Sequence, residues 1–197
     1  VSLNGGAGVG TGSSLDLNVT TVTSATSATG GIQLDLIGGP TTVTSADANG
    51  VGNIVFTGTS GGGLRIFSSV DANNGNVSIS AAAGDIVLGT IVSDSGVVGA
   101  NGVSVTATSG NVTINTSVTS DANVSVSASG TINDDSDDNA ADILSSTVSL
   151  NGGAGIGTLS SLDLAVTTVT SATAAIGGIQ IDLLGGPTTV ASATTTT

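Results

Sequence analysis

The chain holds no Lys, His, Cys, Met, Trp, Tyr or Glu, and only one Arg, Arg65. Without cysteine there are no disulfide staples and no thiol chemistry. With no His, Lys, Glu or Tyr either, acid–base or nucleophilic chemistry would fall to aspartate alone, so we expect no enzyme. One cation stands against 14 Asp, for a net charge of −13. That sign opposes nucleic-acid binding. No apolar run approaches the ~18 residues of a spanning helix, so membrane insertion is not expected. Only two aromatics, Phe56 and Phe67, occur in 197 residues. A broad globular core is therefore hard to fill, whereas a core one side chain deep is not. Residues that oxidise readily are also scarce, which suits a long-lived exterior protein. The sequence starts at Val1, with neither Met nor signal peptide, as expected of a processed chain or a segment of a longer one.

What is present is Gly, Ser, Thr, Ala, Val and Asn, with a positive mean hydropathy. That separates the chain from disordered acidic tails. A long repeat is plain: residues 1–46 match residues 148–193 at an offset of 147, with 38 of 46 positions identical. The chain divides into one full unit, 1–147, and the start of the next, 148–197. A shorter period lies within the unit. Thr-Thr-Val-Thr-Ser-Ala at 20–25 returns at 41–46. Three apolar tracks can be followed, each taking six steps per unit. One runs Val1, Val22, Val43, Val70, Val92, Val118, Val148; a second Val9, Ile32, Ile54, Val77, Val103, Val124, Ile156; a third Leu15, Leu36, Leu64, Ile86, Val112, Ile132, Leu162. Segments such as Val77-Ser-Ile and Val112-Thr-Ile alternate apolar and polar residues, the mark of strands with one buried face. β-branched residues favour strand, and Gly, Asn, Asp and Ser punctuate the turns.

Coils of 21–30 residues with three short strands each predict a parallel β-helix, or β-solenoid, of about six coils per 147-residue unit. Asn53, Asn76 and Asn111 are expected to open strands at coil corners, and Asp16 and Asp35 to lie one coil apart. The longest step contains a polar insert at 133–142, expected as a loop bulging from a corner or a short helical turn from Asp138.

Asp134, Asp135, Asp137 and Asp138 of that insert are the candidate metal ligands. Calcium is the expected ion, because a hard cation takes several carboxylate and carbonyl oxygens from a flexible loop. The competing expectation is a solvated loop with no cofactor. Asn-x-Ser/Thr at Asn18, Asn76, Asn111, Asn115 and Asn123 reads more simply as strand-opening Asn than as glycan acceptors.

Gly130-Thr-Ile-Asn-Asp-Asp135, Asp142-Ile-Leu, Gly153-Ala-Gly-Ile-Gly-Thr158, Leu162-Asp-Leu164 and the Gly-Asn-Val-x-Ile rungs resemble the repeats of giant bacterial surface proteins, the filamentous-haemagglutinin-like and autotransporter-like adhesins. The resemblance implies a right-handed β-helix, an extracellular or cell-surface location, and roles in adhesion or matrix. The expected function is a structural fibre segment that self-associates end to end through 1–46 and 148–197, or through tandem copies in one chain. The alternative is a shaft or binding module touching glycan or cell-surface ligands through its loops.

Overall fold

The computed structural model describes residues 1–59, 61–97 and 99–196; Thr197, within the started second unit, lies outside them. Each coil lays an extended segment on the one below, and every strand pair is parallel. The described residues contain no helix long and apolar enough to cross a membrane. All strands join one 21-stranded sheet wound into a parallel β-solenoid.

One column of stacked side chains shows the winding. Val9, Ile32, Ile54, Val77, Val103, Val124, Val148, Val169 and Val190 sit directly over one another in register. These are nine rungs, so the solenoid has about nine coils, with steps of 21 to 26 residues. At ~4.8 Å per rung the rod is roughly 40 Å long.

A middle coil shows why these residues form these strands. Ile54–Gly58 alternates buried and half-buried positions. Arg65–Ala72 does the same at both ends, but Ser68 and Ser69 in its middle both face solvent. Two outward residues in succession bend the strand, so one continuous element makes two faces. Three faces per coil arise in this way, the expected layout, with two of them fused. The interior is mainly aliphatic, with Phe56 and Phe67 packed at 5.1 Å between ring centroids.

Arg65 is an interior residue. It occupies the column position of Thr41 below and Ile86 above, and is 1% exposed. Its guanidinium donates to the carbonyl oxygens of Ala83 (2.7 Å), Gly61 (3.1 Å) and Gly63 (3.4 Å). Burial lowers its pKa, with the charge of Asp35 acting in the opposite direction. The side chain lies against Gly58, where an added Cβ would fall 2.4 Å from the guanidinium Nε. The next coils carry Ala81 and Ala107 at that position.

The 147-residue unit does not close on a whole number of coils. The column holding Leu3 continues through Ala25, Ala46, Val70, Ile91, Val118 and Ile143, six coils in all. Leu150, the sequence counterpart of Leu3, lies seven residues past Ile143. It stacks instead in the column of Leu34, Phe56, Ile79, Val105 and Val126. Val9 and Ile156 differ likewise: Ile156 stacks on Ile132 and Val112. Nearest-neighbour pairing is nevertheless the same in both copies, since Leu3 faces Ala25 and Leu150 faces Ala172. The second unit thus re-enters the solenoid turned part of a coil about its axis.

This corrects the three apolar tracks. The second holds from Val9 to Val124 but continues to Val148, not Ile156. The first slips after Val43, whose neighbour above is Phe67 rather than Val70. The third holds only from Ile86 to Ile132; Leu15 stacks under Leu34. Each column accepts any medium-sized aliphatic, so the next apolar pair along the chain can be mistaken for the next rung.

Candidate functional site

Polar side chains at the corners bond mainly to the coil next to them. Asn53 Oδ1 accepts from the backbone N–H of Asn76 at 2.9 Å, and Asn76 Oδ1 from that of Gly102 at 2.8 Å. Asp85, Asn111 and Thr131 repeat the arrangement: Asp85 Oδ1 accepts from the N–H of Asn111, and Asn111 Oδ1 from that of Thr131, each at 2.8 Å. These side chains lock coil spacing and strand start together, which explains why Asn precedes so many strands. Asn76 and Asn111 are used internally here, in keeping with the strand-opening reading of their sequons. Asp121 plays a related part, accepting from Ser95 N–H at 2.6 Å and from Ser95 Oγ at 3.0 Å. The backbone bond from Ser95 is the main reason its pKa is lowered.

One region departs from this pattern. The strand Thr131–Asp134 ends with Asn133 and Asp134 both buried, and the chain then leaves the sheet. Residues Asp135 to Ala140 are exposed, and Asn139 has φ +60°, the sole positive-φ non-glycine among the described residues. The segment is a loop held by local turns, with Asp138 Oδ1 accepting from Ala140 N–H at 2.8 Å. The alternative of a helical turn from Asp138 does not hold, because Asn139 leaves the right-handed region.

The loop rejoins the solenoid at Asp142, which begins an outward aspartate ladder. Ile143 stacks under Leu164 and both are buried in the core. The residues just before them, Asp142 and Asp163, therefore occupy the opposite, outward face. Asp142 N–H donates to the Asp163 carbonyl at 2.9 Å, and Asp142 Oδ2 accepts from Asp163 N–H at 2.8 Å. Asp163 in turn lies in register under Asp182. Ser161 Oγ donates to Asp182 Oδ2 (3.1 Å) and to Asp137 Oδ1 (3.4 Å), tying the loop to the coils above it.

Burial here is unusual for an outward face. Asp142 is 3% exposed and Asp163 only 1%. Neither carboxylate oxygen of Asp163 has a hydrogen-bond partner among the described residues. Burial is the main cause that pushes the Asp142 carboxyl up to about 7; the Asp163 N–H opposes this and Asp134 adds to it. The Asp163 carboxyl is also raised, by burial first and then by the charges of Asp182, Asp137, Asp134 and Asp138.

The sequence-based ligand set fares unevenly. Asp134 is buried at the edge of this cluster, while Asp135, Asp137 and Asp138 lie on the exposed loop. As placed, no three carboxylates among the described residues converge closely enough to hold a metal ion. Sequence reasoning missed Asp163, which sits in an ordinary Leu-Asp-Leu strand, and left Asp142 out of the ligand set. Their juxtaposition depends on a register that the spacing leaves ambiguous. The pair Asp16 and Asp35 does stack as expected, but Asp16 is exposed.

Comparisons with protein-family models, with curated proteins and with solved structures each returned no match.

Proposed function

We propose that this chain is a structural shaft: a segment of an extracellular fibre in which repeat units add coils to one continuous solenoid. The observation that carries this reading is the junction between units. Residues 148–152, opening the second copy, stack in unbroken register on Val124–Ala128 of the first. Thr168 and Val169, and then residues 171–174 beyond a one-residue bulge at Thr170, continue the same columns. Neither a change of fold nor a polar cap intervenes between the copies, so further units can extend the rod by the same pairing. The core of small aliphatics, the corner ladders and the Ser- and Thr-rich outer faces all serve stacking. Composition supports a non-catalytic role, and the scarcity of oxidisable side chains supports an exterior location. Contact with glycan or cell-surface ligands through the loops is the second reading, resting on the resemblance to bacterial adhesins.

Tandem proteins of one, two and three units test the shaft reading by small-angle scattering or negative-stain microscopy. Each added unit should lengthen the particle by ~30 Å at constant cross-section, from six coils plus part of a seventh at ~4.8 Å each. Particles that grow in girth instead of length would contradict it.

A further inference from the structure

Six aspartates, Asp134, Asp137, Asp138, Asp142, Asp163 and Asp182, gather where the acidic loop of the first unit lies over the opening coils of the second. The chain carries a single cationic side chain, Arg65. It is buried elsewhere, bonded to the carbonyls of Gly61, Gly63 and Ala83. The protein therefore has no side chain of its own to neutralise this cluster.

Asp163 shows the need most sharply. A carboxylate removed from water ordinarily takes hydrogen bonds or a counter-charge. Asp163 is 1% exposed, and neither of its oxygens has a hydrogen-bond partner among the described residues. Its sequence counterpart Asp16 occupies the same Leu-Asp-Leu strand in the first coil, yet is exposed. Leu15 beside Asp16 is itself 39% exposed in this first coil, whereas Leu162 and Leu164 beside Asp163 are fully buried.

We infer that Asp142 and Asp163, with Asp134 and the loop carboxylates, form a divalent-cation site, suited to calcium, at the joint between successive 147-residue units. The spacing fits. Carboxylates one rung apart on a parallel ladder are separated by ~4.8 Å. A calcium ion takes oxygens at about 2.3–2.6 Å, so one ion spans two rungs. Magnesium, at about 2.1 Å, spans the gap poorly and dehydrates reluctantly. Asp182 extends the ladder by one rung. The exposed Asp137 and Asp138 supply the adaptable part of an oxygen shell, closing on the ion when it binds. This inference does not depend on the shaft reading, since the site is formed within a single chain.

The test is calorimetric titration of the intact chain at pH 8, after chelator dialysis, with calcium chloride and then magnesium chloride at matched ionic strength. Melting is followed in parallel by far-ultraviolet circular dichroism. The expected result is saturable calcium binding, weaker magnesium binding, and a melting temperature raised by several degrees in calcium. Asp163→Asn should weaken calcium binding at least tenfold and abolish that rise. Asp16→Asn should leave both unchanged. If Asp163→Asn does not fold, Asp142→Asn serves the same purpose. The proposal is overturned if calcium gives no heat and no more stabilisation than sodium chloride. It is equally overturned if a folded Asp163→Asn binds calcium as tightly as the parent, leaving protons alone to neutralise the cluster.

Discussion

Phe67→Ala is expected to destabilise the solenoid by about 3–5 kcal/mol, the range for truncating a buried aromatic. Phe67 is 1% exposed, stacked between Val43 below and Leu88 above, and packed against Phe56. A narrow core cannot collapse around the missing ring, because the coil positions are held by the backbone ladders. The lost contacts therefore leave a cavity instead of being recovered by repacking. With no Trp or Tyr, the measurement is urea unfolding followed by circular dichroism. Leu159→Ala is the matched comparison. Leu159 is 87% exposed, and its loss should change stability by less than about 0.5 kcal/mol. Hydrogen exchange should place the added opening in the coils around Phe67, since solenoid stability is summed from neighbouring coils.

The second large effect comes from adding a single methyl group. Gly52→Ala is expected to cost about 3 kcal/mol, although the residue is half-exposed at a corner. A Cβ there would lie 2.3 Å from the carbonyl carbon of Gly30 and 2.3 Å from the nitrogen of Gly31. Both are backbone atoms of the coil below, so no side-chain rotation relieves the overlap. The coils must separate locally, loosening bonds such as Ile32 N–H to Asn53 carbonyl, 2.9 Å. Gly12→Ala, where nothing lies within 4 Å, should be nearly neutral. The same urea titration distinguishes the two substitutions.

Much of this architecture was legible in the residues. Alternation in Val77-Ser-Ile and Val112-Thr-Ile marked strands with one buried face. Thr21 over Thr42, Val22 over Val43 and Asp16 over Asp35 all follow from the 21- and 19-residue offsets. The corner asparagines were legible too, since few other residues suit both the turn and the ladder. The return of the second unit in a different column was not. Val, Ile and Leu fill every column, coil lengths vary, and an error of seven residues carries no chemical signature. That ambiguity also hid the candidate cation site. Asp163 looks like Asp16 in sequence, and only the register brings it under the loop at Asp142.

The solenoid's register is the central claim, and paired cysteines test it directly in a chain that has none of its own. Ser125 and Ser149 are partners one coil apart, and stacked strands place Cα atoms within the roughly 4.4–6.8 Å that a disulfide bridges. Ser125→Cys with Ser149→Cys should cross-link readily within one chain on mild oxidation. Thr119→Cys with Ser149→Cys should not, because Thr119 partners Leu144 instead. Efficient cross-linking of the second pair and none of the first would contradict the register and the part-coil offset of the repeat.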